Sequence, residues 1–116
     1  MEDMLVPAAM MVAFAVVYYL FRPDPARARA VERYVLQGAE IVDVRPESAF
    51  QASHVANARS VPLGALPGDL APGGRVIVYG GSDEESAEAA RVLKAAGFAR
   101  VVDAGPMSHW PIPQPG

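Results

Sequence analysis

Three carboxylates in a row, Asp83, Glu84 and Glu85, stand between Ser82 and Ser86, directly after the apolar run "VIVYGG" at 76–81. A strand that ends in two glycines, Gly80 and Gly81, and turns at once into an amphipathic helix aims backbone N–H groups at the space above the turn. That arrangement favours an anion, yet this loop is lined with carboxylates. Three chemistries meet the pattern. A metal could use the carboxylates, but successive residues on a helix point in different directions and do not converge. Ser82 or Ser86 could attack as a nucleophile, but a serine needs a base, and neither His54 nor His109 is near in sequence. The third is structural. Ser82 and Glu85 have the spacing of a capping box, and Asp83 and Glu84 fall in the first helical turn, where the macrodipole favours each negative charge by ~0.3–1 kcal/mol. The capping account is the expectation, with no metal and no cofactor.

Other residues with reactive side chains read as structural. Asp43 and Arg45 form a pair at a strand end, His54 is a hydrogen-bonded turn residue, and Trp110 closes the core next to His109. The 116 residues contain no cysteine, which removes disulfides, thiolate metal sites and every thiol mechanism. With a net charge of −3 there is no basic signature for nucleic acid.

These groups need elements to position them. Residues 4–21, "MLVPAAMMVAFAVVYYLF", are uncharged and mostly apolar; as a helix they would measure ~27 Å, against a hydrocarbon core of ~30 Å. A signal peptide would want a positive n-region, where Glu2 and Asp3 stand. A buried core helix is the other alternative; a retained single-pass anchor is the expectation. Arg22, Arg27, Arg29 and Arg33 follow the span and none precedes it, which places the C-terminal part in the cytoplasm and Met1–Asp3 outside. The same arginines are expected to touch the membrane surface, each contributing ~1 kcal/mol near anionic lipid. An alanine- and arginine-rich, lysine-poor composition suggests a bacterial chain, hence the inner membrane.

A linker at 22–25 leads into a domain at 26–110 and a proline-rich tail at 111–116. Helices are predicted at 26–38, capped by Asp24 with Pro25 at its first position, at 46–54 and at 83–96. Their inward residues should be Ala28, Val31, Val35 and Leu36 in the first, and Ala87, Ala90, Val92 and Leu93 in the last. Strands are predicted at 40–45, 58–63, 75–80 and 100–104. Alternation of strand and helix implies an α/β fold with a small parallel sheet flanked by helices.

The segment "AEIVDVRPESAFQASHVANARSVPL" resembles the first half of a rhodanese domain, through Asp43 and Arg45, Glu47 and Phe50, the turn "SHVANA" and Val61–Pro62. "RVIVYGGSDEESAEAARVLKAAGFARVVDAGPMSHW" resembles the second half. The resemblance implies a rhodanese-like fold, and it also marks departures. The family's catalytic cysteine position falls on Gly80, its loop arginine position on Glu85 and an intervening glycine on Asp83. Ser53 and Asn57 stand where turn glycines are common, and Pro106 follows Gly105 in place of a second glycine. Persulfide chemistry needs a thiolate, and the acidic loop would repel an anionic donor. The expectation is a catalytically degenerate, membrane-anchored binding module, an accessory or adaptor subunit of an integral membrane complex. Two alternatives stay open: sulfur chemistry with a cysteine-bearing partner, and a small-ligand sensor that uses the loop.

Overall fold

The computed structural model describes residues 7–115. Four parallel strands form one sheet in the order β2-β1-β3-β4, with β1 at Glu40–Asp43, β2 at Ala58–Ser60, β3 at Arg75–Gly80 and β4 at Arg100–Pro106. From β1 the chain passes through α3 (Glu47–Ala52) to the edge at β2; from β3 it passes through α4 (Asp83–Ala95) to the opposite edge at β4. The two connections leave in opposite directions, so the carboxyl ends of β1 and β3 frame a topological switch point, where such sheets open a crevice.

Strand β3 shows why the sheet is covered on both faces. Val76 and Val78 point to one side and join Val42, Val44, Ala89, Ala90, Leu93 and Phe98; Ile77 and Tyr79 point to the other and join Val31, Ile41, Val55 and Ala104. The period-2 alternation of side chains gives each helix layer its own core. Helix α4 seals the first face and helix α2 (Pro25–Leu36) the second.

Helix α2 starts as its sequence dictates. The Asp24 carboxylate accepts from Ala26 N at 2.9 Å, with Pro25 at the first helical position. Its inward face differs from expectation: Val31 is fully buried, but Leu36 is 88% exposed and Tyr34 packs inward in its place. Positions 31, 34 and 35 make the i, i+3, i+4 stripe, and Leu36 lies one position beyond it. In α4, likewise, Ala87 faces solvent while Ser86 and Ala89 are buried. Strand β1 is shorter than the predicted 40–45 because the chain turns at Val44 and Arg45 toward α3.

Two further features lie at the ends, on the predicted span and on the tail. Helix α1 covers Ala8–Phe21, 14 residues or ~21 Å, and none of them is buried. Among the described residues no helix is long and apolar enough to cross a membrane; Met4, Leu5 and Val6 of the predicted span lie outside the described residues. The tail does not project freely. A 3₁₀ turn at Met107–His109 brings it back across the α2 face, and Gln114 Oε1 accepts from Ala56 N at 2.6 Å.

Replacing fully buried Leu93 with alanine should cost about 2–5 kcal/mol of unfolding free energy. Leu36→Ala should stay within about 0.5 kcal/mol. Equilibrium urea unfolding of the two variants beside the parent measures both.

Candidate functional site

The switch-point crevice is built around one carboxylate. Asp43, the last residue of β1, is 0% exposed. Burying a charge without partners is prohibitive, and Asp43 has four donors. Arg45 N donates to Oδ1 at 2.9 Å. The Arg45 guanidinium grips both oxygens, with Nε at 3.0 and 3.2 Å and Nη2 at 2.7 Å. The Tyr79 hydroxyl donates to Oδ2 at 2.8 Å. The two-residue spacing of Asp43 and Arg45 closes an Asx-type turn at the end of the strand, which sets the guanidinium back onto the carboxylate.

The network extends beyond the pair. Tyr79 also accepts from Val55 N at 3.0 Å, and Arg45 Nη2 donates to the Ser53 carbonyl at 2.6 Å. Burial first, and the hydrogen bond to Asp43 with it, pushes the Tyr79 phenol well above its ordinary 10.0. The Asp43 hydrogen bond raises the Arg45 guanidinium above its usual value. In this way the turn at 53–58 is hung from the ends of β1 and β3. Asn57 supplies the left-handed residue of that turn, with φ +66°, a conformation that asparagine tolerates better than most residues. His54 Nδ1 donates to the Phe50 carbonyl at 3.0 Å, and the imidazole stacks on the Phe50 ring, 4.0 Å between centroids. Trp110 lies 5.7 Å from the Tyr79 ring and covers the network from the α2 side.

Across the crevice is the loop Gly80–Ser86. Ser82 caps α4, its hydroxyl accepting from Glu85 N at 3.1 Å. Glu85 reaches back one residue further than a capping box requires, and its Oε1 accepts from Gly81 N at 2.8 Å. The loop amide that could hold an external anion is thus occupied by the chain's own carboxylate. The same side chain sits where a side chain at position 80 would grow: a Cβ on Gly80 would lie 2.9 Å from Glu85 Oε1, 3.1 Å from its Cγ and 3.2 Å from its Cβ. Gly80 and Glu85 therefore fit each other, and the absence of a side chain at 80 makes room for the carboxylate at 85.

The remaining loop residues are also engaged. The buried Ser86 hydroxyl donates to the Asp83 carbonyl at 3.2 Å, so neither serine is paired with a base. Asp83 accepts from Arg27 Nη1 at 2.8 Å, tying the start of α2 to the loop. Arg27 also packs over Gly105, whose φ of +75° and lack of a Cβ let the guanidinium approach. Glu84 is exposed. Among the described residues no group of three or more His, Asp or Glu could hold a metal ion.

The structure brings Asp43, Arg45 and Trp110 together with Tyr79, and joins Gly80, Gly81, Ser82, Asp83 and Glu85 into one capped loop. Of the arginines read as membrane contacts, Arg27 faces Asp83, Arg22 lies over the Tyr19 ring at 4.7 Å, and Arg29 and Arg33 are exposed. Sequence reasoning missed Tyr79 as a connector. Its signal was present: it is the one hydroxyl in the otherwise aliphatic strand "RVIVYG".

A family model described as a rhodanese-like domain matches residues 27–105. No match is found among curated protein sequences. Among solved structures, the chain is similar to the Rhodanese_3 like domain from Anabaena sp., at 29% identity and a TM-score of 0.59 over 66% of this chain and 95% of that one. It is similar to a rhodanese with anions from E. coli, at 27% identity and a TM-score of 0.54 over 66% of this chain and 94% of that one. A rhodanese-like domain protein from Staphylococcus aureus aligns at 25% identity and a TM-score of 0.55, over 62% and 74% of the two chains.

Two outcomes follow from this geometry. Tyr79→Phe strands Val55 N–H and removes a donor from Asp43, at a cost of about 1–3 kcal/mol. In the parent, the folded state holds the phenol proton more tightly than the unfolded state does. The stabilising contribution of the protonated Tyr79 is therefore fully present below its ordinary value of 10.0 and is lost as pH rises past it; that alkaline loss should be shallower in Tyr79→Phe, as read by urea unfolding at about pH 8 and about pH 11. Gly80→Ala should displace Glu85 and cost about 1–2 kcal/mol through the lost Gly81 hydrogen bond. In a Glu85→Ala background the same change should cost less, and a double-mutant cycle measures a coupling of about 0.5 kcal/mol or more.

Proposed function

We infer that this chain, which belongs to the rhodanese-like domain family, uses the fold as a binding module and not as a sulfurtransferase, held at a membrane as an accessory or adaptor subunit of a membrane protein complex. The observation that carries this reading is the Glu85 carboxylate packed onto Gly80 and bonded to Gly81 N. Sulfur transfer through a persulfide needs a thiolate to attack and then carry the sulfur atom. The chain has no cysteine, and the matching position has no side chain. An anion that approached the loop would have to displace Glu85 and pass Asp83 and Glu84, against like charge at close range. Anion binding of the kind named for the E. coli relative is therefore not carried over to this chain.

The membrane reading is supported by helix α1 and its flanks. Its 14 residues carry no charge, and large apolar side chains such as Phe14, Leu20 and Phe21 stand exposed along it. Apolar area left in water forgoes roughly 25 cal/mol per Å², so a helix of this composition favours an apolar solvent. Three residues, Arg22–Asp24, separate α1 from α2. The arginines that follow the span favour the cytoplasmic side for the domain.

Alkaline carbonate extraction of native membranes, then mild detergent and size separation, tests this reading. The chain should resist carbonate and travel with a stoichiometric partner; release by carbonate overturns the anchor, and migration alone overturns the adaptor. In parallel, thiosulfate-to-cyanide transfer should stay at background for both the parent and Gly80→Cys, and turnover by the parent would overturn the non-catalytic assignment.

A further inference from the structure

The side of the sheet covered by α2 carries four arginines that make no ion pair among the described residues: Arg29, Arg33, Arg75 and Arg100. On α2, positions 31, 34 and 35 face the core, so Arg29, Arg33 and Leu36 fall together on the outward stripe at i, i+4 and i+7. At the end of the sheet where α2 finishes, Arg75 and Arg100 begin β3 and β4 as register partners. Alternation along each strand puts them on the side of Ile77 and Val102, which is the α2 side. Leu36 stands 88% exposed at the end of the stripe. We propose that this basic surface docks an acidic helical segment of a partner protein, one that presents carboxylates a turn apart with an apolar side chain beside them.

In the free chain the arrangement is unfavourable. Like charges repel at i, i+4 on a helix and side by side on neighbouring strands. Glu32, the one carboxylate of α2, makes no ion pair among the described residues and relieves none of it. The dipole of α2 accounts for Arg33 in the last turn, but not for Arg29 or the exposed leucine. A facing acidic helix relieves the repulsion. Arg29 and Arg33 are one turn apart, ~6 Å, the spacing of carboxylates at i and i+4 on the partner, and each guanidinium can fork onto one of them. A free anion or a nucleic-acid backbone would leave Leu36 in water. The opposite side of the sheet has the reverse sign, with Asp83, Glu84 and Glu85 in the first turn of α4, so only the α2 side suits an acidic partner.

Lipid is the other source of negative charge near this chain. Helix α2 begins at the carboxyl end of the sheet, where Leu20 and Phe21 of α1 border one cavity with Asp24, Asp83 and Asp103, and it runs from there toward the amino end. Leu36 lies ~16 Å along the helix from Pro25, whereas salt screens exposed charges beyond ~8 Å at physiological strength. With α1 in a bilayer, the stripe therefore leads out of reach of the headgroups and toward a neighbouring protein. The proposal rests on the adaptor reading and names the surface through which the adaptor acts.

The test uses the full chain in phosphatidylcholine nanodiscs. It is titrated calorimetrically with a helical peptide of about 20 residues that carries glutamates at i and i+4 and leucine at i+7, and with the same peptide carrying glutamines. The glutamate peptide should bind at least about tenfold tighter than the glutamine peptide. Arg29→Gln/Arg33→Gln should remove that difference, and Leu36→Ala should weaken the glutamate peptide about threefold or more. Equal affinity for the two peptides, or a preference that the double variant keeps, overturns the proposal. Because the chain has no cysteine, a nitroxide on Leu36→Cys reports this face alone. Loss of its water accessibility in discs containing phosphatidylglycerol, with no peptide present, assigns the face to lipid and overturns the protein partner. Self-association that the double variant abolishes seats a second copy there and overturns it likewise. Co-purification from native membranes separates the surface from the adaptor reading. A partner retained in full by the double variant overturns the surface and leaves the adaptor. Peptide binding through these residues by a chain that migrates alone overturns the adaptor and leaves the surface. A chain that fails to enter nanodiscs overturns the anchor, and the same titration in aqueous buffer still decides the surface.

Discussion

One buried carboxylate, Asp43, organises the carboxyl end of the sheet. A fully buried charge is stable only with its hydrogen bonds complete, and completing them fixes three separate pieces of chain. Arg45 is drawn back over the end of β1, Tyr79 is locked at the end of β3, and through these two the turn at Ser53 and Val55 is held against the sheet. None of the three could move alone without leaving a buried donor or acceptor unpaired. The crevice at the switch point is thus a rigid frame whatever occupies it.

Within that frame, the loop after β3 carries its own anion, the Glu85 carboxylate. A helix start with free amides still attracts negative charge, and Glu85 supplies it from four residues away in the chain. That placement of Glu85 requires a residue without a side chain at 80, which is why the loop and the strand end read as a matched pair. Asp83 meanwhile takes Arg27, so the loop is bound on its other flank to the helix nearest α1. A pocket that a reactive group would keep open is filled from within and fastened.

Much of this was legible in the sequence because it rests on local rules. The capping of α4 by Ser82, the start of α2 at Asp24 and Pro25 and the strand "RVIVYG" follow from periodicity and turn chemistry, while the rhodanese-like order of motifs was legible only as a resemblance to that family. The inward faces of helices were less legible. Leu36 is apolar, yet it lies one residue past the stripe set by Val31, Tyr34 and Val35, and the choice among these is made by where the sheet lies, not by hydropathy. The contacts that close the site, Tyr79 to Val55, Arg27 to Asp83 and Gln114 to Ala56, join residues 24, 56 and 58 apart. No short window contains both partners. The role of Glu85 was half legible: its spacing from Ser82 predicted a cap, but its reach to Gly81 and its packing on Gly80 depend on the loop's three-dimensional path.

The strand order has a consequence for how other molecules could attach. An open sheet invites a further chain to extend it along an unpaired border. Here one border is β2, only three residues long and centred on Arg59, whose guanidinium is drawn to Asp69 and Glu40. The other, β4, is longer, but its pairing slips between Val78 and Gly80, its path twists at Gly105, and it ends in Pro106. Neither border offers a straight run of free amides and carbonyls. The sheet is terminated on both sides, which guards against self-templated aggregation and leaves helices, loops and tail as the surfaces open to recognition.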